Sequence, residues 1–566
     1  MLQQRYNPRD FFFAACTMKS NALPMEPIVR KPVESSRAHF QRRKTVGLGI
    51  LIALVLAGAI AVLLLGCGGS PAPVKQNPPP PADVPLTQAE VQTIVQNAAM
   101  AVDGSTMAIA VVDRRGDVLA VYNKPGVVPG TTKDIGNFGT SVDVDDLAVA
   151  LARTAAYFSN DQAPLSSRTV RFISGIHFPP GVDNAPTADL YGIENTNRGC
   201  TLSTNFIPGQ EINPSNSLSG AAGTGPGILT GKSQLDDSDP NAVNPGGVPI
   251  FRGSLVVGGI GVAGVSHDAA EFAAVSGAKT TGFSFIPNPL PDPGAVFIGG
   301  IALPLVNNTS LPAGANPGTA NGGYLKLCPG PPAACSNGQP PINDLIQPTA
   351  GSMLTVSEVQ QILDNAEGTA KKTRAAIRLP TSSATSMVIA VADLDGTLIG
   401  LRRMPDSTIF SIDVAASKAR NMVYFNGPNR TTSDLPGVPL GTAVTSRTIS
   451  FGAQPLFPPG INGSGDGPFY DLFLQDVQNP CTQGNQTGAA NSNKSGVVFF
   501  PGAVGLFKNG TLVGGFGISG DGVDQDDFVT AGGSVGFEAP TAIRADQIFI
   551  NGVRLPYFKF PRNPTF

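Results

Sequence analysis

The sequence predicts an α+β protein made of two tandem domains, each an antiparallel sheet with packed helices. Three observations lead to this prediction. A hairpin followed by a small-residue helix occurs twice, at Met107–Phe158 and at Met387–Phe425. An amphipathic helix signal precedes each of these units, and a glycine-rich hairpin follows each. Antiparallel strand pairs combined with helices in this way are typical of the α+β class.

Length and composition restrict the classes of protein to consider. The chain has 566 residues, which suits two domains with tails, and its 67 glycines and 51 prolines indicate many turns. Charged residues make up 14% and the formal net charge is −3, which argues against an electrostatic nucleic-acid binder. The three histidines, His39, His177 and His267, are too few for a histidine-rich metal or multihaem site.

The N-terminus has the pattern of an export signal. Arg42 to Lys44 precede the apolar run Val46–Leu65, and Gly66 and Cys67 follow it. Leu-x-Gly-Cys resembles the bacterial lipobox, in which the cysteine is lipidated after cleavage. We therefore expect residues 1–66 to be a leader, Cys67 to carry lipid, and residues 67–85 to form a Pro-rich spacer.

This reading predicts a location for the protein. The body would be lipid-anchored on the exported side of the bacterial cell envelope, at the outer membrane or in the periplasm. The alternative is a single uncleaved transmembrane anchor, because about 20 apolar residues are long enough to span a bilayer.

Two long segments match each other in the same order. We call residues 86–306 the N-terminal half, residues 354–566 the C-terminal half, and residues 307–353 the linker. Each half begins with Leu-Thr and has Glu three residues after the Thr, which is a capping-box pattern. The later matches are Ser167 with Ser446, His177 with Leu456, Cys200 with Cys481, Leu255 with Thr511, and Val296 with Ile548. We interpret this order as a tandem duplication.

Within each half the elements follow in order. Val388–Ala392 and Thr397–Leu401 flank a turn at Asp393–Gly396, and Ser411 occupies a capping position before a helix. Val144–Phe158 is the matching helix of the N-terminal half. The polar insertions near residues 159–245 and 426–495 exceed ordinary loops and are expected to decorate one face. The glycines of the closing hairpins favour close strand or helix packing over phosphate binding, because no P-loop lysine follows.

Four cysteines remain in the exported body, and four cysteines allow three pairings. Cys328 and Cys335 are close in sequence and predict a small local disulfide loop. This leaves Cys200 with Cys481, which occupy matching positions and would meet near a pseudo-twofold axis.

The combined motifs resemble the GlcG/HbpS-like family, also called haem-degrading or PduO C-terminal-like domains. The C-terminal half keeps Ser411-Ile412-Asp413, Lys418-Ala419-Arg420 and Gly517-Ile518-Ser519-Gly520, but lacks the Gly-Gly-x-Pro-Ile motif. The N-terminal half keeps Gly246-Gly247-Val248-Pro249-Ile250, but has Leu151 where the lysine would stand. Neither half carries the complete family pattern.

The resemblance implies a profilin-like domain that often forms oligomers, so that two fused copies would make a pseudo-dimer. It also implies haem, a related tetrapyrrole or another small ligand. Three classes of function stay open: a membrane-tethered lipoprotein that binds haem, a non-catalytic structural or assembly protein of the cell surface, and an enzyme that degrades haem. No catalytic residue can be named from the spacing. The complementary losses allow either a composite site between the halves or a purely structural role.

Several side chains are candidates for ligand binding. Lys418 would meet a propionate, or else be a solvated or salt-bridged surface lysine. His177 and His267 are candidate iron ligands, or else loop residues. Arg153 and Arg420 occupy matching positions, which favours a shared structural ion pair, and the acidic run Asp521–Asp527 favours a solvated helix start over a calcium site. The candidate cofactor-binding residues are His177, His267, Ser411, Lys418, Arg420, Gly246, Gly247 and Pro249.

Overall fold

The chain divides into two units, Met1–Ser70 and Pro71–Phe566. The computed structural model describes residues 84–128, 132–134, 141–193, 196, 245–479, 482–484 and 495–566, all in the second unit. The predictions for the leader, Cys67, the spacer before residue 84, Cys200 and Cys481 lie outside the described residues. Among the helices of the described part, none combines the length and the hydropathy that crossing a membrane requires.

Two five-stranded antiparallel sheets form the framework. The strands are β1 (Ala108–Asp113), β2 (Val118–Asn123), β3 (Thr132–Asp134), β4 (Ser141–Asp143), β5 (Gly247–Arg252), β6 (Leu255–Ala263), β7 (Phe297–Ile298), β8 (Ile301–Ala302), β9 (Gly323–Leu327), β10 (Asn343–Ile346), β11 (Val388–Ala392), β12 (Leu398–Arg403), β13 (Ala503–Lys508), β14 (Thr511–Ser519), β15 (Phe549–Ile550) and β16 (Val553–Arg554). The sheet orders are β5-β6-β1-β2-β9 and β10-β12-β11-β14-β13, so matching strands occupy matching places. The α+β class is therefore confirmed.

Nine α-helices accompany the sheets in the described part of the chain. They are α1 (Gln88–Ala101), α2 (Val144–Phe158), α3 (Ser167–Phe172), α4 (His267–Ala278), α5 (Val356–Ala370), α6 (Phe410–Asn426), α7 (Ser446–Gly452), α8 (Tyr470–Gln478) and α9 (Val523–Gly533). Both predicted capping boxes form, with Thr87 and Glu90 on α1 and with Thr355 and Glu358 on α5. The predicted cap at Ser411 is wrong, because α6 begins one residue earlier, after Ile409.

Alternation along the central strands separates two hydrophobic layers in each half. Ile109 and Val111 of β1 pack into the cluster that contains α1 and α4. The small residues Ala108 and Ala110 face the other way, into the cluster that contains α2. The strand β11 repeats this division between α5 with α9 on one face and α6 on the other. Each sheet therefore carries helices on both faces.

Helices α2 and α6 belong to one hydrophobic cluster that is continuous between the halves. The rings of Phe158 and Phe410 stack with their centroids 4.0 Å apart and an interplanar angle of 9°. Beside them, the Ile409 N–H donates to the Tyr157 carbonyl oxygen at 3.0 Å. Nearly every residue of α6 is buried, including its polar ones. Its polar side chains must therefore find their partners inside the protein.

The linker is not only a connection, because it supplies the edge strand of each sheet. Strand β9 pairs with β2 of the N-terminal half, and β10 pairs with β12 of the C-terminal half. Cys328 and Cys335 form the local disulfide just after β9. The sequence did not indicate these strands because their buried pattern is weak, with most of their residues exposed or partly exposed.

The turn aspartates of both hairpins hold the linker. The Asp113 carboxylate accepts hydrogen bonds from the Ser336 hydroxyl at 3.2 Å and the Asn337 N–H at 3.0 Å. The Asp393 carboxylate accepts from the N–H and the hydroxyl of Ser352, both at 2.8 Å. Burial raises the pKa of Asp113 to about 6. These aspartates therefore do more than close their turns.

The glycines of the closing hairpins allow the helices to approach the sheets. A Cβ at Gly261 would collide with the Ala148 carbonyl oxygen of α2, and one at Gly517 would collide with the Ala415 carbonyl oxygen of α6. Because these contacts are with backbone atoms, no side-chain movement can relieve them. The interpretation as close packing rather than phosphate binding fits these contacts.

We predict that Gly261→Ala lowers the free energy of unfolding by about 3 kcal/mol, because the added methyl group forces α2 away from β6. Gly323→Ala is the matched control, since a Cβ there meets nothing within 4 Å. Urea denaturation of both variants measures the effect. Equal stability of the two variants would contradict the packing explanation.

Candidate functional site

Lys418 is fully buried on α6 and salt-bridged, so the expected surface position is wrong whereas the expected ion pair forms. Its ammonium group donates to an Asp526 carboxylate oxygen at 2.9 Å and to the Ile518 carbonyl oxygen at 2.7 Å. It also lies 4.7 Å from the centre of the Phe500 ring. Burial lowers the pKa of Lys418 and raises the pKa of Asp526 to about 7. The ammonium group is committed to partners within the C-terminal half.

The N-terminal half replaces this ion pair with an apolar contact. Gly246 and Gly502 precede matching strands and both have a φ of +113°. A Cβ at Gly502 would lie within 2.8 Å of both the Asp526 Cβ and the Lys418 Nζ, whereas one at Gly246 would meet the side chains of Ala270 and Leu151. Leu151 and Ala270 thus stand where Lys418 and Asp526 stand. At this position, therefore, the C-terminal half has a buried ion pair and the N-terminal half has an apolar contact.

Arg420 and Arg153 make the same structural contact in the two halves, each donating to a backbone carbonyl oxygen of a turn. The Arg420 Nε donates to the Gly396 carbonyl oxygen at 2.9 Å, and the Arg153 Nε donates to the Gly116 carbonyl oxygen at 2.9 Å. Both acceptors lie in the tight turns of the first hairpins. Burial lowers the pKa of Arg420 to about 9. These arginines hold each turn against its helix.

The remaining motif residues are also used for packing. The Ser411 hydroxyl lies 2.7 Å from the Thr408 hydroxyl and 3.0 Å from that of Ser519. The Gly247 N–H donates to the Ser167 hydroxyl at 3.0 Å, and a Cβ on Gly247 would collide with the carbonyl oxygen of Leu151. Pro249 is buried within β5. None of these contacts leaves a side chain directed at a ligand.

The acidic run at the start of α9 is not solvated, so that prediction is wrong. Asp521, Asp526 and Asp527 are buried and form ion pairs with Arg378, Lys418 and Arg447, respectively. Arg168 and Glu271 make the corresponding bidentate pair in the N-terminal half, at 2.6 and 3.0 Å. The cations come from distant parts of the chain, which explains why the run alone indicated a surface feature.

The two candidate iron ligands have different environments. His267 is exposed and is the first residue of α4. His177 is only 3% exposed, and neither its Nδ1 nor its Nε2 has a hydrogen-bond partner in the described part of the chain. Burying a polar group without a partner is costly, so such a group calls for a specific explanation. His177 is the stronger candidate for a ligand contact.

The loop that carries His177 packs against the matching loop of the C-terminal half. The Asn184 N–H donates to the Asn462 side-chain oxygen at 3.2 Å, and the Asn462 N–H donates to that of Asn184 at 3.0 Å. A Cβ at Gly460 would collide with the Ala185 carbonyl oxygen. The histidine loop is therefore held by both halves.

Sequence reasoning missed a polar cluster where the halves meet. The Asp161 N–H donates to the Asp406 carboxylate at 3.1 Å, and the Arg378 guanidinium donates to the same carboxylate at 2.6 Å. Burial and the nearby Asp406 raise the pKa of Asp161 to about 7. Asp161 and Asp406 are 245 residues apart, so no local pattern connects them. Among the described residues, no group of three or more His, Cys, Asp or Glu side chains forms a metal site.

Comparison with known proteins identifies the class to which the C-terminal half is similar. Residues 354–533 match the family described as haem degrading protein HbpS-like, which confirms the resemblance to the GlcG/HbpS-like family. One similar solved structure is the Klebsiella pneumoniae protein ORFY, of family DUF336, with 19% identity, a TM-score of 0.22, and coverage of 33% of this chain and 91% of that chain. Another is a PduOC:heme complex, with 22% identity, a TM-score of 0.22, and coverage of 33% and 97%. The chain matches no curated protein.

The exchange of Lys418 and Asp526 for an apolar pair can be tested by a double-mutant cycle. Asp526→Ala leaves a buried ammonium group without its carboxylate and is expected to lower the free energy of unfolding by about 3 kcal/mol or more. Adding Lys418→Leu to this variant recreates the packing of Leu151 and Ala270 and should recover much of the loss. Urea denaturation of the four proteins measures the coupling. If the two single effects simply add, the two packing arrangements are not equivalent.

The raised pKa of Asp161 predicts how pH affects the contact between the halves. The protonated carboxyl group is favoured in the folded state, so its stabilising effect is lost as the pH rises through about 7. Asp161→Asn keeps an uncharged group there, so the variant should gain stability relative to the wild type as the pH rises from about 4 to about 7, with no further gain at higher pH. Denaturation at several pH values checks this. Asp471→Asn, at an exposed position, is the control and should show no such trend.

Proposed function

We propose that the protein binds haem or a related tetrapyrrole and that His177 is the iron ligand. The observation that carries the proposal is the buried His177 imidazole, whose two ring nitrogens lack partners in the described residues. The match of residues 354–533 to a haem-degrading family supports the class of ligand. The ligand would then lie where the loops of both halves meet, in a composite site.

The residues of the chain fit this ligand only in part. A ring nitrogen of His177 would hold the iron, and the bound iron would supply the redox chemistry. Lys418 and Arg420 do not fit as partners for the propionates, because both are buried and already donate to Asp526, Ile518 and Gly396. The proposal therefore rests on His177 and not on the family-type lysine and arginine.

We further propose that the halves are two tandem profilin-like domains that form a pseudo-dimer within one chain. The identical order of strands in the two sheets supports this, as do the matching capping boxes. The arginine-to-turn contacts of Arg153 and Arg420 repeat in the same way. A lipid anchor at Cys67 on the exported side of the envelope, or alternatively a single transmembrane anchor, would hold this body at a membrane.

A second candidate function is a non-catalytic structural or assembly role at the cell surface. The observation that favours it is the use of Ser411, Lys418 and Arg420 for internal contacts, which leaves the family motif without a free functional group. Under this alternative the insertions would serve as contact surfaces. An enzyme that degrades haem is the third candidate, with no catalytic residue to name.

Titration of haem into the chain from Gly68 onward tests the proposal. We expect a saturable Soret band, and His177→Ala should shift or abolish this band because the variant removes the proposed iron ligand. His267→Ala is the matched control, since His267 is exposed at the start of α4, and its spectrum should stay unchanged. Absorption spectroscopy is the measurement.

Other results separate the three functions. The absence of a spectral change at micromolar haem would remove the binding proposal and favour the structural role. A normal Soret band in His177→Ala would reject His177 while leaving haem binding intact. Loss of bound haem on addition of peroxide would favour degradation over storage.

A further inference from the structure

Six charged side chains meet at the contact between the halves, and we call them the seam cluster. They are Arg114, Asp161, Arg378, Arg403, Asp406 and Asp521. The cluster lies beside the stacked rings of Phe158 and Phe410. Arg114 donates to the Ser159 carbonyl oxygen just after α2, and Arg403 donates to the Ser407 carbonyl oxygen shortly before α6. Asp161 and Asp406 are partly exposed, so the cluster has an open side.

One of the three arginines is fully paired. Arg378 donates to the carboxylates of Asp406 and Asp521, and its remaining Nη donates to the Asp406 carbonyl oxygen at 2.5 Å. Asp521 also accepts from the Ser386 N–H at 2.7 Å. Each of the three nitrogens of the Arg378 guanidinium therefore donates to an acceptor within the protein.

Arg114 and Arg403 are buried without a carboxylate partner in the described part of the chain. Arg114 donates to the carbonyl oxygens of Ala156 and Ser159, and Arg403 donates to those of Pro340 and Ser407. Both are at most 2% exposed, and the Nε of each has no hydrogen-bond partner among the described residues. A neutral carbonyl oxygen accepts a hydrogen bond but does not offset the positive charge of a buried guanidinium group.

A third unpaired group lies with them. The Ser407 hydroxyl is buried and has no hydrogen-bond partner among the described residues, although the Ser407 carbonyl oxygen accepts from Arg403 at 2.9 Å. The positive charge of Arg114 adds to burial in lowering the pKa of Arg403 to about 9. Two cations and one hydroxyl group with unused donors therefore lie in the same region.

We propose that a small oxyanion binds in the seam cluster, between the guanidinium groups of Arg114 and Arg403 and beside the Ser407 hydroxyl. Carboxylate, phosphate and sulfate groups are the acceptors whose geometry suits guanidinium donors. The site is independent of the tetrapyrrole site at His177. It would join the halves, because Arg114 comes from the N-terminal half and Arg403 and Ser407 from the C-terminal half.

The charges of the cluster set the pH dependence of this site. Three arginines balance three aspartates when every carboxyl group is ionised, and protonation of Asp161 leaves one positive charge in excess. Asp406 faces Asp161 with the same sign, whereas Arg114, Arg378 and Arg403 face it with the opposite sign. The oxyanion should therefore bind more tightly at about pH 6 than at about pH 8.

Thermal unfolding of the full-length chain in a non-ionic detergent tests the proposal, with sodium sulfate as the probe. Sulfate keeps its charge over this pH range, so a pH effect belongs to the protein. We expect the Tm to rise by a few degrees up to about 10 mM sulfate at constant ionic strength, and to rise more at the lower pH. Sodium acetate in a parallel series distinguishes a carboxylate ligand from a tetrahedral oxyanion.

Arg403→Gln and Arg402→Gln are the matched pair of variants. Arg402 is adjacent on β12, but its guanidinium is paired with Asp344, Asp364 and Glu367, so its loss should leave the sulfate response unchanged. Arg403→Gln should abolish the response. Ser407→Ala is the milder variant for the case that Arg403→Gln does not fold, and it should weaken sulfate binding about 3- to 10-fold through one lost hydrogen bond.

Three outcomes would overturn the proposal. The Tm could be insensitive to sulfate and acetate, in which case water satisfies the cluster. The response could be equal in Arg402→Gln and Arg403→Gln, which would indicate a general salt effect. Ser407→Ala could raise the Tm without changing the dependence on sulfate, which would show that its hydroxyl is simply unsatisfied.

Discussion

The structure depends on the burial of two helices, α2 and α6, between two sheets. Each helix lies against the small-residue face of its own sheet, where glycines such as Gly261 and Gly517 allow backbone contact. Because these helices are covered on nearly all sides, their polar residues cannot reach water. Arg153 and Arg420 donate hydrogen bonds to carbonyl oxygens in the turns of the first hairpins, and Lys418 forms an ion pair with a carboxylate on α9. The same constraint explains why these side chains form their hydrogen bonds within the protein.

As a result of this constraint, the motif residues of α6 form their contacts inside the C-terminal half. The lysine and arginine of α6 are the most recognisable residues of the C-terminal half, yet both are bonded within it. The Leu151 and Ala270 pair shows that the N-terminal half meets the same packing requirement without charge. Groups with unused bonding capacity lie instead in the insertion loop, at His177, and where the halves meet, at Arg114 and Arg403. The two proposed ligand sites therefore use these groups and not the motif residues.

The halves are joined by three different kinds of contact. One is the continuous apolar cluster that contains Phe158 and Phe410, and another is the linker, which adds an edge strand to each sheet. The loops around Asn184 and Asn462 exchange hydrogen bonds at a third place. A contact of this breadth ties the environment of His177 to both halves. It also encloses charged side chains, since Arg378 bridges two aspartates there.

Local patterns in the sequence determined the elements, and tertiary structure decided their partners. An apolar run predicted β11 and the match to the second helix predicted α2, both at the observed residues. The Thr and Glu spacing predicted both capping boxes, because these signals depend on near neighbours. Lys418 and Asp526 are 108 residues apart, and Asp161 and Asp406 are 245 apart, so only the fold brings them together. The linker forms strands β9 and β10 because it pairs with the edges of the two sheets, at β2 and β12. Whether a charged residue is solvated or paired is decided by what packs over it.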